Sequence, residues 1–320
     1  APTAITIEAI KSLHPAESHT MTTQTALLLL TSETPLHAGA GQSVDGIDLP
    51  IQREAHTDWP CVYGSAVKGA LRAHAEQRLG GKAAAITDLF GPDHGGASER
   101  DTSHAGALLV GDATLLALPV RSLQSCFKWV TCPQALTRFA RTVERLGLAL
   151  ALPAITPPTR DKALGQGDAK LFLEEFRFEQ SPDACIAALA KALAPLSGGA
   201  LEEATLAQRL VVVHDDIFSF LTRNATSVQP QIAIDSTTKT VKDGALWFEE
   251  SLPPETLLYV PLTATASRRK GASLNAADVL TQFKQLLPDG KNWLQLGGNE
   301  TTGMGWCRVG IASTTAEQGA

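Results

Sequence analysis

Hydrophobic positions along the chain fall into strand-length apolar runs and longer segments with helical spacing. Residues 24–32 (QTALLLLTS) form a continuous apolar run that ends in polar residues, which is typical of a central, buried strand. Residues 64–79 (GSAVKGALRAHAEQRL) place Val67 and Leu71 on one face, and we expect Ser65 to cap this helix. The first part of the chain therefore predicts a buried strand followed by an amphipathic helix.

The remaining pattern mixes strands and helices. Spacing and flanking residues predict strands within 107–120, 170–179 and 256–266, and helices within 133–147, 183–196, 201–210 and 276–287. Residues 210–221 join a strand to a helix that Asp215 or Asp216 would cap. This mixed order favours an α+β fold over a repeating parallel βαβ array.

Two turn-rich regions complete the pattern. Residues 227–250 predict a long hairpin with a polar tip, and residues 293–312 predict two strands around a glycine-rich loop. Residues 91–106 (GPDHGGASERDTSHAG) lack periodicity and predict a mobile loop without an assigned role.

Composition narrows the class of protein. With 320 residues, 44% hydrophobic and 19% charged, the chain can bury a core, and no linker divides it. We expect one domain over residues 21–320, with residues 1–20 an upstream extension or a cloning remnant. No stretch approaches the ~18–20 apolar residues of a membrane span, and the five scattered cysteines favour reduced, mostly buried thiols. These features predict a cytoplasmic protein without a membrane partner.

The formal charge of −6 means that any binding site for nucleic acid must be local. Lys68 and Arg72 lie one turn apart near the start of the predicted helix, where helix dipoles favour an anion, and Arg53 could add a third cation. Glycines let a backbone approach a phosphate closely; a tight turn is the favoured explanation for the first of two loops, whereas the longer run of glycines and hydroxyls in the second argues against a turn alone. The glycines in question form two loops: Gly39 and Gly41, then Gly297, Gly298, Gly303 and Gly305.

Acidic residues beside the first glycine loop are candidates for chemistry. Asp45 and Asp48 could hold Mg²⁺ or take part in proton transfer from a ribose 2′-hydroxyl, and the alternative is an Asx-turn. His37 is either a general base or base-stacking ring, or a hydrogen-bonded loop residue. Glu249 and Glu250 close the hairpin, where such pairs are usually solvated.

Together these segments resemble one family, the backbone RAMP subunits of type III-B (Cmr) CRISPR effector complexes. The resemblance spans about residues 22–312 and is most specific where DLPIQRE is followed by GSAVKGALR. It also includes HAGAG, VVVHDDIFSFL, IAIDSTTKTVKDGALWFEE and GGNETTGMGW.

The resemblance implies a modified ferredoxin-like (RRM-like) palm with helical insertions and a protruding β-hairpin thumb at about residues 226–250. It also implies that copies stack head to tail along guide RNA (crRNA), beside other Cmr subunits, and that the thumb interrupts the duplex of guide and target RNA. Lys68, Arg72 and the loop 297–305 would contact guide phosphates. Gln229 and Gln231 stand where relatives commonly have arginines, so we expect neutral hydrogen bonds in place of ionic contacts there.

Members of this family cut target RNA beside each thumb with an acidic loop residue and a divalent metal, here expected to be Mg²⁺. Asp48 matches the motif D-x-P-I-Q-R-E, so it is the first candidate, with His37 a distant second and Glu249 only a guess. Two alternatives remain open. The chain could be a purely architectural backbone, or an unrelated metal-dependent enzyme centred on His214, Asp215 and Asp216.

Overall fold

One large mixed sheet and a separate two-stranded hairpin carry most of the chain. The computed structural model describes residues 23–43, 46–80, 83–92, 104–167, 170–287 and 292–314. None of the helices in these ranges has the length and apolar content that crossing a lipid bilayer requires.

The strands, in chain order, are β1 Gln24–Ser32, β2 Cys61–Val62, β3 Leu108–Val110, β4 Ala113–Arg121, β5 Phe127–Thr131, β6 Lys162–Gly165, β7 Lys170–Leu173, β8 Phe176–Ser181, β9 Leu210–Val212, β10 Ser227–Ile234, β11 Val241–Ser251, β12 Leu257–Ala264, β13 Trp293–Gln295 and β14 Trp306–Ser313. The helices are α1 Gly64–Leu79, α2 Ala84–Phe90, α3 Pro133–Arg145, α4 Ala184–Leu193, α5 Glu203–Arg209, α6 Asp215–Asn224 and α7 Ala276–Leu286.

The large sheet has the order β13-β14-β1-β12-β4-β5-β9-β6-β8-β7, with β2 paired to β4 and β3 paired to β12. Most neighbours are antiparallel, and within the described residues only β5 with β9 and β6 with β8 run parallel. A mixed sheet with helices is thus confirmed, and a repeating parallel array is excluded.

The central strand β1 is buried on both faces, as its apolar run predicts. It pairs antiparallel with β12 on one side and β14 on the other. Leu28 and Leu30 pack with α1, α2, α6 and α7, whereas Leu27 and Leu29 pack with α3, α4 and α5. Burying a leucine side chain contributes roughly 1.5–3 kcal/mol, so this strand is a major source of stability.

The predicted hairpin is confirmed as the ribbon β10–β11, which pairs from Ser227 with Ser251 to Ile234 with Val241. Directly paired residues share a face of a ribbon, so Ile232 and Leu246 lie together. One face is apolar yet exposed, with exposed fractions from 40% to 57%. Its large side chains are Val228, Ile232, Leu246 and Phe248, and Ile234 and Val241 are also exposed beyond the register shift that follows Ile232.

Two predicted helix caps are wrong. Helix α1 begins at Gly64, after Tyr63, and the Asp112 carboxylate accepts the Gly64 N–H at 2.6 Å, so Ser65 lies inside the helix. Helix α6 is capped by His214, whose Nδ1 accepts the Asp216 N–H at 3.1 Å. In both helices, a side chain outside the expected set accepts a free N–H group of the first turn.

Residues 170–179 predict one strand but form the hairpin β7–β8. Glu174 adopts a left-handed conformation with φ +48°, which turns the chain between them. The alternating pattern therefore identifies extended structure but not the reversal within it. The cysteine prediction holds: all five thiols are free, and only Cys126 is exposed.

Candidate nucleic-acid interface at the base of the hairpin

The segment that contains Asp48 lies against the base of the hairpin as a short additional strand. The Leu49 N–H donates to the Phe248 carbonyl, and the Glu250 N–H donates to the Leu49 carbonyl, both at 3.0 Å. Leu49 thereby forms a parallel bridge with Glu249. This pairing joins the DLPIQRE motif of the loop to β11 through backbone bonds.

Asp48 is exposed at this junction. Its Oδ2 accepts the Phe248 N–H at 2.7 Å, and the described residues provide no partner for Oδ1. One oxygen therefore orients the carboxylate, while the other accepts no hydrogen bond from a described residue. Asp45, the other aspartate of the loop, lies outside the described residues.

The two glycine loops pack against each other beside Asp48. The Gly298 N–H donates to the His37 carbonyl, and the Gly305 N–H donates to the Pro35 carbonyl, both at 2.8 Å. Gly297 has φ +86°, and a Cβ there would lie 2.4 Å from the His37 carbonyl oxygen. Close packing of the loops thus explains the glycine at this position.

Other glycines of these loops remain open to solvent. Gly41 and Gly303 have φ values of +101° and +83°, and a Cβ on either would meet no atom within 4 Å. By contrast, a Cβ on Gly39 would lie 2.9 Å from His37 Nε2. The exposed backbone at 41 and 303 is therefore where a phosphate has room to approach.

His37 is buried, with 8% of its surface exposed. Its Nδ1 lies 2.6 Å from the Glu250 carbonyl oxygen and 3.8 Å from Glu249 Oε1. These contacts make the ring a link between the first glycine loop and β11, and they leave its Nε2 facing Gly39.

The expectation that Glu249 and Glu250 are solvated is wrong, since they are 7% and 2% exposed. Asn299 donates its side-chain N–H to Glu249, and Arg53 Nη2 donates to Glu250 Oε1 at 2.5 Å. The two glutamates point to opposite faces of the ribbon, and each is covered by a different loop. Sequence alone gives no signal for these partners, because they are far apart along the chain.

Gln52 was missed as a site residue, although it lies within the motif DLPIQRE. Its Nε2 donates to the Gly39 carbonyl at 3.0 Å, and its Oε1 accepts the Tyr63 N–H at 2.7 Å. The side chain therefore ties the first glycine loop to the residue that precedes α1.

A group of cations lies at α1, away from the Asp48 loop contacts. Burial, followed by the charges of Arg268 and Arg72, lowers the pKa of Lys68. Arg72 donates to Glu76 at 2.8 Å and to the Gly91 carbonyl at 2.9 Å, so its charge is partly compensated. Arg268 is exposed, and the basic run at 268–270 is the signal that could have identified it. The positive potential at Lys68 favours an anion.

The alternative metal centre at α6 is not assembled. Asp215 Oδ1 accepts the Gln134 N–H at 2.9 Å, and Asp216 pairs with Arg160. Across the described part of the chain, no group of three or more His, Cys, Asp or Glu side chains could hold a metal ion. Most of the predicted loop at 91–106 lies outside the described residues, as do Glu99, Arg100 and Asp101.

A mixed sheet bearing a hairpin and two glycine loops is the architecture expected from the resemblance, and the chain belongs to the RAMP superfamily, whose sequence profile matches residues 29–308. Within it, the chain is 33% identical over 292 residues to the Cmr endoribonuclease Cmr4 of the CRISPR system of Pyrococcus furiosus. This match covers 89% of this chain and 95% of the relative.

Solved structures agree with this assignment. The crystal structure of oligomeric Cmr4 from Pyrococcus furiosus has a TM-score of 0.68 at 29% identity, covering 92% of this chain and all of that one. A chain of the Type III-B Cmr-beta complex bound to cognate target RNA has a TM-score of 0.70 over 90% of this chain and 96% of its own. At 22% identity, that second likeness concerns the fold alone.

Proposed function

We propose that this chain is a repeated backbone subunit of a type III-B CRISPR ribonucleoprotein, which binds guide RNA along a filament and cleaves complementary target RNA. The relative Cmr4 is named an endoribonuclease and crystallises as an oligomer, which supports the proposal. In such an assembly, head-to-tail contacts between copies would build an open filament rather than a closed dimer. The other Cmr subunits would be its partners.

The large sheet would serve as the modified ferredoxin-like palm, and β10–β11 as the thumb. The exposed apolar face of that ribbon supports this role, because apolar side chains can wedge between base steps and unstack them. A target strand kinked in this way would pass the hairpin base, where Asp48 lies. The position of Asp48 beside Phe248 is the observation that carries the proposal.

Guide RNA would bind along α1 and the open parts of the glycine loops. Lys68 has no ion pair with any described residue, and burial, followed by the positive charges of Arg268 and Arg72, lowers the pKa of its amine. Phosphates would lie against Lys68 and Arg268, and further phosphates could approach the open backbone at Gly41 and Gly303 in the loops. Arg72 would contribute through its remaining donors.

Cleavage would proceed by attack of a ribose 2′-hydroxyl on the adjacent phosphorus. The bond from the 2′-oxygen to phosphorus forms, the bond to the 5′-oxygen breaks, and the 5′-oxygen takes up a proton. Asp48 would accept the 2′-hydroxyl proton or orient the reacting groups. His37, which is buried, would support the loop that carries Asp48 and is the second candidate for proton transfer.

For a divalent cation, expected to be Mg²⁺, the described residues supply one candidate ligand, the Asp48 carboxylate. Mg²⁺ in phosphoryl-transfer sites is commonly bound by one or two carboxylates together with water and substrate phosphates. Asp48, through Oδ1, would hold it, and the cation would supply charge stabilisation at the phosphate. The described residues offer no group of three or more His, Cys, Asp or Glu side chains that could form a closed protein cage.

The test compares two variants in the assembled complex with guide and target RNA. Asp48→Asn keeps an acceptor for the Phe248 N–H but removes the negative charge, so we expect target cleavage to fall by at least about 100-fold with target binding unchanged. Asp161→Asn is the matched control, since Asp161 is an exposed aspartate that accepts one hydrogen bond, from Thr159 at 2.7 Å. It should leave cleavage unchanged.

A purely architectural subunit is the second candidate function. The bond from the Phe248 N–H to Asp48 favours it, because such a bond is also what a structural turn residue would make. If the Asp48→Asn complex produces the wild-type pattern and rate at every site, the nuclease belongs to another subunit. Guide binding by this chain would then remain.

A further inference from the structure

Arg53 and Glu250 form a buried contact between the Asp48 loop and the hairpin. Glu250 Oε1 accepts Arg53 Nη2 at 2.5 Å and Thr226 Oγ1 at 2.7 Å. Its other oxygen, Oε2, accepts the Ile51 N–H at 3.1 Å. The side chain of Glu250 is 3% exposed and that of Arg53 is 16% exposed, so water screens the pair weakly.

The other donors of Arg53 are also directed into the protein. Its Nη1 donates to the Asp58 carbonyl at 2.8 Å and to the Thr222 carbonyl at 3.0 Å. Thr222 lies near the end of α6, immediately before the hairpin, so one guanidinium joins the loop, the helix and the hairpin. This arrangement explains Arg53 without any contact to a phosphate.

The same loop is bound to β11 along its backbone. Leu49 forms hydrogen bonds to Phe248 and Glu250 on either side of the bridge. Asp48, immediately before Leu49, receives the Phe248 N–H. Backbone bonds therefore hold the Asp48 end of the loop, and the Arg53 and Glu250 side chains hold its other end.

We infer that Arg53 and Glu250 are positioning residues, which fix the Asp48 loop to the thumb so that the Asp48 carboxylate and the apolar face of the hairpin move as one body. This inference rests on the proposed function of Asp48. As a consequence, the position at which the hairpin enters the RNA determines which phosphodiester linkage is cut. Loosening the pair would leave RNA bound but the carboxylate misplaced.

The test uses complexes assembled with Arg53→Lys, which keeps the charge but loses the planar fork that reaches Asp58 and Thr222. We expect guide and target affinities within about 2-fold of wild type, but cleavage slowed about 10- to 100-fold, because misplacement of about 1 Å can cost 100-fold in rate. Minor products cut at neighbouring linkages should appear. Arg121→Lys is the matched control, since Arg121 pairs with Glu174 at the surface and shares no partner with Arg53, and it should cleave normally.

A phosphate-binding Arg53 predicts a different outcome, namely weaker guide binding, a smaller salt dependence and normal cleavage of the target that remains bound. That result would overturn the inference. Thr226→Val is a second test in case complexes with Arg53→Lys do not assemble, since it removes one hydrogen bond to Glu250 without changing charge. It should assemble normally and slow cleavage several-fold, and a wild-type rate would count against the inference.

Asp48→Asn in the same experiment distinguishes failure of the positioning role from failure of the proposed catalytic function. If it abolishes cleavage while Arg53→Lys and Thr226→Val keep the wild-type rate and cut positions, the positioning role alone is refuted. If it cleaves normally, the proposed catalytic function is refuted as well.

Discussion

Gly297→Ala tests whether the two glycine loops are held together by the close approach that the structure shows. A Cβ at Gly297 would lie 2.4 Å from the His37 carbonyl oxygen and 2.9 Å from its carbonyl carbon, and both are backbone atoms that cannot rotate away. The substitution also places alanine at φ +86°, a conformation that L-residues rarely adopt.

Gly303→Ala separates these two effects, because Gly303 has φ +83° but no atom within 4 Å of its added Cβ. A left-handed conformation costs roughly 1–2 kcal/mol, which is the whole expected loss for Gly303→Ala. Overpacking adds about 1–3 kcal/mol, so Gly297→Ala should lower the free energy of unfolding by about 2–5 kcal/mol. The difference between the two variants measures the loop contact.

The assay is equilibrium urea unfolding of the two purified variants beside wild type, with the m-value checked for constancy. The reasoning fails if Gly303→Ala is destabilised as much as Gly297→Ala. In that case Gly297 would serve only as a turn residue, and the contact between the loops would contribute nothing measurable.

Two further predictions use charge. Lys68→Ala should weaken guide binding and reduce the slope of log affinity against log salt by about one, whereas Lys191→Ala on α4 should change neither. Because the pKa of Lys68 is lowered, its contribution to guide affinity should decline with rising pH before that of ordinary lysines, which measurements of affinity against pH would reveal. Asp88→Asn should lower the free energy of unfolding by about 1–3 kcal/mol at pH 7. Hydrogen bonds from Arg269 hold the pKa of Asp88 below its usual value, so this stabilisation is present above pH ~4 and lost as pH falls further. A difference in unfolding free energy between wild type and Asp88→Asn that persists unchanged at pH 3 would contradict the role of the ionised Asp88 carboxylate.

Local pattern was sufficient for much of the fold. The apolar run at 24–32 predicts a strand buried on both faces, and the pattern of 227–250 predicts the hairpin, because side-chain periodicity depends on near neighbours. It failed where a single residue reverses the chain, as Glu174 does between β7 and β8. It also failed at helix starts, since Asp112, which binds the start of α1, is distant in sequence.

The candidate site likewise contains residues that the sequence could predict and residues that only the tertiary structure could place. The motif around Asp48, both glycine loops and Lys68 could be predicted as site residues from residue types in order, since a linear motif preserves its own spacing. Glu249 and Glu250 could not be placed that way, because adjacent glutamates look solvated until other segments cover them. Arg53 is the clearest case, since a basic residue near glycine loops predicts a phosphate contact, whereas its partners are Asp58, Thr222 and Glu250.

The amino-acid sequence by itself determined which elements form, which family they resemble and which aspartate matches the motif. The tertiary structure alone decided which charges are buried as partners and which face solvent. The physical reason is that hydrogen bonds and ion pairs depend on distances of a few ångströms between atoms, and residues as far apart in the chain as Arg53 and Glu250 come within that range only once the sheet, the hairpin and the loop have packed together.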